Sequence, residues 1–233
     1  MSKNKIDNIK NWYDTTKKYL GKGIKNDKHY NKHLVKPCKM ISIIGPTGSG
    51  KTNILLEFLE RKNNSFYEVI IFTGSTADEP LYNLLREKLE GVVLIDNVDE
   101  LPELTKYNEE DKTIEKLIIF DDIINLNKKQ LQTVQKWFNS ARKYGFTCIA
   151  MCQRWTDEPI QMRNNNNMIW IFKLNDINSI NQILKTSNNE NLPIQLLKDK
   201  YFEAVKTKGD FFNIDLTESG PLRFRKNFIG STI

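Results

Sequence analysis

The stretch that decides the fold of this chain is MISIIGPTGSGKTNILLEF, residues 40–58. A short apolar run ends at Ile44, a glycine-rich segment occupies residues 45–52, and an apolar-periodic segment comes directly after it. This is the pattern G-x-x-x-x-G-K-[ST] in the strand–loop–helix context that a phosphate-binding loop requires. The sequence therefore predicts a P-loop, also called a Walker A motif, and with it a site for nucleotide phosphates.

The residue types in this loop suit a triphosphate and a magnesium ion. Glycines let backbone N–H groups turn inward around phosphate oxygens, and the N-terminus of the next helix adds its own positive end. We expect Lys51 to reach the β- and γ-phosphates and the Thr52 hydroxyl to hold Mg²⁺. The whole loop is expected to contact the nucleotide: Gly45, Pro46, Thr47, Gly48, Ser49, Gly50, Lys51 and Thr52.

A second motif, Leu117-Ile-Ile-Phe-Asp-Asp122, lies about 70 residues further along the chain. Four apolar residues indicate a buried parallel strand, whose carboxyl end lies at the ligand crevice of an α/β sheet. We expect Asp121 to bind Mg²⁺, mostly through water, because this ion keeps much of its hydration shell. Asp122 is expected to orient or deprotonate the attacking water. After a P-loop, this pair is typical of a Walker B motif.

A further buried strand, residues 146–151, runs into Cys152 and Gln153. We interpret Gln153 as a sensor of the γ-phosphate or of the lytic water, and the alternative is an ordinary polar loop residue. Two arginines bracket this strand, Arg142 before it and Arg163 after it. Either is a candidate arginine finger, supplied across a subunit boundary. The alternative for each is a surface ion pair of little energetic value.

Charge divides the chain into a basic N-terminal segment, residues 1–39, and residues 40–233. The first part has 11 Lys and 3 Asp and a net charge of +8, whereas the second part has a net charge of −2. Residues 6–20 are predicted to form an amphipathic helix. Clustered lysines favour either a solvated tail or a surface that contacts nucleic-acid phosphates, and the sequence leaves both open.

Several classes of protein are disfavoured by composition. No apolar run approaches the ~18 residues of a membrane span, and the N-terminus lacks the core of a signal peptide. We therefore expect no membrane span. Three cysteines are too few for a disulfide framework and fit a reducing compartment.

The order of these motifs resembles that of the additional-strand P-loop ATPases of the FtsK–HerA superfamily. Within it, the chain is most similar to the poxvirus-type genome-packaging ATPases of large DNA viruses and virophages. The resemblance covers residues 40–175 and rests on five segments: GPTGSGKT (45–52), FTGSTADEPLYNLL (72–85), LIIFDD (117–122), SARKYGFTCIAMCQ (140–153) and PIQMRNNNNMIWIF (159–172).

The resemblance implies an α/β fold of the P-loop NTPase class, with residues 40–233 as the ATPase domain. We expect a mainly parallel central sheet with an additional strand between the Walker A and Walker B strands, and helices on both faces. The last part of the chain predicts a small β-hairpin, Phe211–Leu216 and Leu222–Phe228, which turns at residues 218–221.

The resemblance also implies an activity, which is ATP-driven translocation of double-stranded DNA into a preformed capsid. ATP and Mg²⁺ are the implied cofactors, and a homo-oligomeric ring, most simply a hexamer, is the implied assembly. Capsid or portal-like proteins would be partners, and the host-cell cytoplasm, its viral factory and the virion would be the locations. Lys51, Thr52, Asp121 and Gln153 match the family's motifs. The wider superfamily usually has Asp-Glu where this chain has Asp121-Asp122, so the role of Asp122 departs from the pattern.

Three other functions remain as alternatives. A HerA-like DNA-processing translocase or helicase would share all of these motifs. A small-molecule P-loop kinase needs a lid that bears arginine, and residues 97–115 contain none. A nucleotide-dependent switch of the GTPase type needs an Asn-Lys-x-Asp motif after the P-loop, and the sequence has none.

Overall fold

The computed structural model describes residues 24–63, 65–74, 80–108, 113–188 and 190–231. The helix predicted over residues 6–20 lies outside this range. Six helices are described: α1 Lys51–Arg61, α2 Pro80–Lys88, α3 Lys128–Ser140, the single turn α4 Ile160–Arg163, α5 Ile177–Ser187 and α6 Ile194–Ala204. None of these helices has the length and apolar character needed to cross a bilayer.

The strands of the described residues form one sheet. Their bounds are β1 Met40–Ile44, β2 Val69–Thr73, β3 Val92–Ile95, β4 Lys116–Asp121, β5 Phe146–Cys152, β6 Met168–Ile171, β7 Phe212–Asp215, β8 Phe224–Lys226 and β9 Gly230–Ser231. Their order in the sheet is β3-β2-β4-β5-β1-β6-β7-β8-β9. The strands from β3 to β6 pair in parallel, and those from β6 to β9 pair antiparallel.

The predicted additional strand is confirmed, and it is β5. This strand pairs with the P-loop strand β1 on one side and with the Asp-Asp strand β4 on the other. The register places Met151 beside Asp121 and Cys152 beside Ile44. Because the carboxyl ends of parallel strands meet at one edge of a sheet, the P-loop, the two aspartates and Gln153 all start from the same edge.

Helices cover both faces of the sheet, as predicted, because the strand residues alternate between two cores. Ile118 and Phe120 pack with residues of α3, α5 and α6, whereas Leu117 and Ile119 pack with residues of α1 and α2. Strands that are buried on both faces read as continuous apolar runs, which explains the composition of β4 and β5. The architecture of a P-loop NTPase is therefore confirmed.

Helix α3 and the C-terminal strands have well-defined limits. Helix α3 ends at Ser140, and the chain continues as a 3₁₀ turn, Ala141–Tyr144. Its start is fixed by a capping box, in which Asn127 accepts from the backbone of Gln130 and the Gln130 side chain accepts from the backbone of Asn127. The predicted C-terminal hairpin is confirmed as β7 and β8, and β9 adds a third antiparallel strand.

Residues 24–39 pack against the amino ends of the strands through a buried polar network. Lys62 Nζ lies 2.6 Å from Glu115 Oε2 and 3.4 Å from Asp27 Oδ2, and Thr147 Oγ1 donates to Glu115 Oε1 at 2.6 Å. His33 Nδ1 accepts from the backbone of residue 35, so its Nε2–H donates to Asp27. Burial lowers the pKa of His33 to about 4, which keeps the ring neutral. This part of the basic segment is therefore built onto the ATPase fold.

Candidate nucleotide-binding site

A cavity of about 480 Å³ opens at the carboxyl edge of the sheet, where the P-loop meets the ends of β4 and β5. The residues that the sequence predicts for phosphate binding, metal binding and sensing come together in its wall. The lining includes Thr47, Gly48, Gly50, Lys51, Thr52, Asp121, Asp122, Gln153 and Asp157. The arrangement is that of a site for a phosphorylated ligand and a hard cation.

The backbone of the loop depends on two of its glycines. Gly50 has a φ of +105° and precedes the first residue of α1, a conformation that favours glycine. A Cβ at Gly45 would lie 2.6 Å from Ser49 Oγ and 2.8 Å from Phe172 Cβ, so no side chain fits there. The hydroxyl oxygen of Ser49 is buried and has no hydrogen-bond partner among the described residues. A phosphate oxygen in the loop would satisfy such a group.

Lys51 projects from the first turn of α1 and folds back over the loop. Its Nζ donates to the carbonyl oxygens of Gly45 at 2.8 Å and of Pro46 at 3.3 Å. Burial lowers the pKa of Lys51, and the nearby Asp121, Cys152 and Asp122 oppose that shift. The ammonium group is thus held at the cavity by neutral acceptors, which phosphate oxygens can replace with stronger, charged ones.

Asp121 ends β4 and Asp122 follows it, in a tight backbone arrangement. Asp122 has a φ of +55°, in the left-handed region that Asp tolerates better than most residues. Gly74, which comes after β2, donates its N–H to the carbonyl of Asp121 at 2.8 Å. A Cβ at Gly74 would lie 1.8 Å from the carbonyl oxygen of Asp122, so only glycine allows this approach. The sequence prediction did not single out Gly74.

Tyr82 on α2 is a second residue that the sequence prediction did not single out. It is buried, lines the cavity, and donates its hydroxyl to Asp121 Oδ2 at 2.7 Å. From sequence alone, a tyrosine on an apolar helix face is predicted to be a core residue, because apolar periodicity does not reveal the hydrogen-bond partner of its hydroxyl. The only sequence feature that pointed to Tyr82 was its position within segment 72–85, one of the five segments that carry the family resemblance.

The oxygen groups of Thr52 and Asp121 fit Mg²⁺. Both side chains line the same cavity, and hydroxyl and carboxylate oxygens are hard ligands of the kind that this ion takes. Within the described residues, no group of three or more His, Cys, Asp or Glu side chains is arranged to hold a metal. Mg²⁺ usually keeps several waters and binds substrate phosphates alongside one or two protein oxygens.

Gln153 comes directly after β5 and reaches the cavity, where the prediction expects a sensor. The next residue, Arg154, is held by Asp157, whose side chain also lines the cavity. Asp157 accepts the backbone N–H of Arg154 at 3.0 Å and its Nε–H at 3.2 Å. The side chain of Arg154 is 68% exposed. The sequence prediction considered the arginines on either side of β5 and did not consider this one.

The two arginines that the sequence singled out lie elsewhere. Arg142 is exposed in the 3₁₀ turn before β5, at the opposite end of that strand from the cavity. Arg163 ends α4, and its guanidinium lies 5.3 Å from the ring centroid of Trp155. Neither residue lines the cavity of its own chain. Their assignment as arginine fingers from a neighbouring subunit stays a prediction.

A buried polar cluster connects the P-loop strand to the segment after Gln153. Ser42, in the middle of β1, lies 2.6 Å from Glu158 Oε1 and 2.8 Å from Asn166 Oδ1 through its Oγ. Burial raises the pKa of Glu158 to about 7, against the opposing effect of its hydrogen bonds with Ser42 and Asn166. When Glu158 is protonated, it can donate to Ser42, which can then donate to Asn166, so the chain of hydrogen bonds is complete.

A smaller groove of about 270 Å³ lies on the other side of the same loop. Its walls are P-loop residues 46–49, Phe172 and Lys173 after β6, and residues 205–210 between α6 and β7. The loop therefore has an open surface on both sides, and the two cavities share Thr47 and Gly48.

The family model described as "Poxvirus A32 protein" matches residues 26–200, which is three quarters of the chain. The matched range includes every residue named for the wall of the larger cavity. A comparison with curated protein sequences finds no significant match.

Solved structures are similar in fold. The DNA-packaging ATPase B204 from Sulfolobus turreted icosahedral virus superposes with a TM-score of 0.54 at 16% identity, over 82% of this chain and 97% of that one. The packaging NTPase B204 from Sulfolobus turreted icosahedral virus 2, in complex with ATP-γS, gives a TM-score of 0.52 at 16% identity, over 81% and 96%. EssC (ATPases 2 and 3) from Geobacillus thermodenitrificans gives 0.53 at 14% identity, over 83% and 40%.

Proposed function

The chain belongs to the poxvirus A32 protein family and is a P-loop ATPase, and from that premise we propose that it drives double-stranded DNA into a viral capsid. The observation that supports the ATP-hydrolysing part of this proposal is the meeting of Lys51, Asp121 and Gln153 in the wall of one cavity, and the family supports the DNA-packaging part. A structural P-loop without turnover would need only the first of these, whereas hydrolysis needs a cation site and a group that senses the γ-phosphate.

The binding step relies on the loop and on Lys51. Backbone N–H groups of the loop and the N-terminus of α1 face the phosphates, and Lys51 exchanges its two carbonyl acceptors for phosphate oxygens. The nucleoside would extend into the groove on the other side of the loop, beside Phe172 and residues 205–210. In this pose, the γ-phosphate would point toward Asp121, Asp122 and Gln153.

The hydrolytic step relies on the ends of β4 and β5. Thr52 and Asp121 would hold Mg²⁺, which neutralises charge on the β- and γ-phosphates when it is bound. Asp122 lines the cavity beside them and would accept a hydrogen bond from the attacking water. Gln153 would contact the γ-phosphate or that water. Asp122 has a shorter reach than the glutamate that is usual in the superfamily, and its backbone lies in the left-handed region.

The assembly and the partners are further parts of the proposal. We infer a homo-oligomeric ring, most simply a hexamer, that encircles DNA and docks on capsid or portal-like proteins. The sites of action would be the cytoplasmic viral factory of the host cell and the assembling virion. The family to which the chain belongs supports this inference.

The test is ATP hydrolysis by the purified full chain, with and without double-stranded DNA, run beside light scattering. We expect stimulation by DNA and a mass of several subunits. Lys51→Ala should abolish hydrolysis, and Lys185→Ala, which removes an exposed lysine at the end of α5, should leave it unchanged. The proposal would be refuted if DNA did not change the ATPase rate and the chain remained monomeric at high concentration. A phosphorylated small molecule among the products would identify a kinase instead.

A further inference from the structure

The wall of the cavity has more acidic than basic side chains, and a bound triphosphate would add further negative charge. Among the described residues of its wall, the only cation is Lys51, and the wall also includes three acidic residues: Asp121, Asp122 and Asp157. The transition state of phosphoryl transfer has negative charge spread over the equatorial oxygens of the γ-phosphoryl group, and P-loop enzymes stabilise it with a metal ion, the P-loop lysine and, in many cases, an arginine. Asp157 is not part of either predicted motif, so its place in the wall needs an explanation.

Arg154 is a cation that lies in the sequence between two residues of this wall, Gln153 and Asp157. It comes directly after Gln153, and its Nε lies 3.2 Å from Oδ1 and 3.5 Å from Oδ2 of Asp157. The side chain of Asp157 is 8% exposed and that of Arg154 is 68% exposed. The guanidinium group is therefore held by the side chain of a residue that lines the cavity, while most of the Arg154 side chain is open to solvent.

Asp157 has two separate effects on this arginine. By accepting the backbone N–H of Arg154 at 3.0 Å, it fixes the turn after β5 and therefore the point from which the arginine starts. By accepting the Nε–H, it sets the direction of the guanidinium. Only the second contact depends on the arginine side chain, so the guanidinium can leave the carboxylate while the backbone turn persists.

A bound triphosphate offers the guanidinium a better partner than Asp157. The γ-phosphate has more negative charge and more acceptor oxygens than one carboxylate, and the arginine fork matches phosphate geometry. The ion pair with Asp157 is mostly exposed on the arginine side, and such pairs are weak. Rotation of the Arg154 side chain away from Asp157 would exchange one anion for the other.

We propose that Arg154 is a catalytic arginine that leaves Asp157 when ATP binds and contacts the γ-phosphate in the cavity of its own subunit. Asp157 is then the positioning residue that holds the arginine while the nucleotide is absent. This inference rests on the proposed ATPase function and adds a residue to it. It also differs from the expectation for Arg142 and Arg163, which would act only across a subunit boundary.

The test compares Arg154→Ala and Arg154→Lys with Arg86→Ala, which removes an exposed arginine of α2. Affinities for ADP and for a non-hydrolysable ATP analogue are measured alongside kcat. We expect Arg154→Ala to lower kcat by about a hundredfold or more. It should lower the affinity for the ATP analogue by about tenfold and leave the affinity for ADP unchanged. Arg154→Lys should recover part of the analogue affinity and little of kcat, because an ammonium cannot make the bidentate contact.

Complementation tests the location of the contact. Oligomers mixed from Lys51→Ala and Arg154→Ala subunits should stay inactive, because each subunit then lacks a residue of its own site. Recovery of hydrolysis in the mixture would overturn the assignment to the same subunit. Equal loss of ADP and ATP-analogue affinity, or an unchanged kcat in Arg154→Ala, would overturn the contact itself. Failure of the wild-type chain to hydrolyse ATP would instead refute the proposed function, so the two failures are distinct.

Discussion

The hydroxyl of Tyr82 lies 2.7 Å from Oδ2 of Asp121 and donates a hydrogen bond to it. Helix α2 is thereby joined to the carboxylate expected to face Mg²⁺. Because Tyr82 is buried, its hydroxyl is fixed in direction and holds the carboxylate in one orientation.

Replacing this tyrosine tests whether it orients the metal-side carboxylate. Tyr82→Phe should raise the Mg²⁺ concentration for half-maximal hydrolysis by about fivefold, since a hydrogen bond of this kind contributes about 1 kcal/mol. The measurement is a magnesium titration of ATPase rate. Tyr67→Phe, at an exposed tyrosine, is the matched control and should not change the titration. An unchanged magnesium dependence in Tyr82→Phe would contradict the orienting role.

The second prediction concerns the residue that departs from the superfamily pattern. Asp122→Asn should lower kcat by about a hundredfold or more while ATP affinity changes little, because the lost group acts on water and not on phosphate. Single-turnover hydrolysis and nucleotide binding separate these effects. Asp96→Asn, at an exposed aspartate after β3, should behave like the wild type. Normal turnover in Asp122→Asn would show that another residue acts on the attacking water.

The third prediction concerns the close approach of Gly74 to the end of β4. A Cβ at this position would lie 1.8 Å from the carbonyl oxygen of Asp122. Gly74→Ala should therefore lower the free energy of unfolding by more than about 2 kcal/mol and impair hydrolysis, because the backbone of Asp122 must move. Gly209→Ala, where a Cβ meets nothing within 4 Å but φ is +92°, should cost about 1 kcal/mol. Chemical denaturation measures both, and equal costs would refute the steric explanation.

The fourth prediction concerns pH. Burial raises the pKa of Glu158 from 4.5 to about 7, so between these values the folded chain binds more protons here than the unfolded chain. The contribution of Glu158 to the free energy of unfolding therefore falls as pH rises from about 4.5 to about 7, and the loss is complete above that range. Glu158→Gln should remove this fall, so its stability relative to the wild type should increase across the window. Denaturation curves at pH 4.5, 6 and 8 measure the difference, and a constant offset would contradict it.

Much of the fold was predictable because its determinants are local. The P-loop pattern, the apolar run before Asp121 and the run before Gln153 each specify a buried strand and the polar residues at its carboxyl end, and the structure places all three at one edge of the sheet. The hairpin near the C-terminus was predictable from its turn residues. Strand order was reached only by resemblance, since alternation of apolar residues does not record which strands are neighbours.

The parts of the site that were not predicted depend on contacts between distant segments. Gly74 matters because of the carbonyl of Asp122, and Tyr82 matters because of the carboxylate of Asp121. Glycine and tyrosine are common in turns and cores, so neither residue type indicates a function on its own. Arg154 was adjacent to the predicted sensor, but its relation to Asp157 emerges only once the turn after β5 is folded.

The position of β1 in the sheet has a consequence for the order in which the chain can fold. Its neighbours are β5 and β6, with Met40 beside Cys148 and Ile41 beside Met168. More than a hundred residues separate these partners, so the loop-closure entropy of the P-loop strand is large and its pairing is intrinsically slow. During synthesis, the ribosome must release the chain beyond β6 before β1 has both neighbours. The ability to bind nucleotide should therefore emerge late in biogenesis, although the P-loop is translated early.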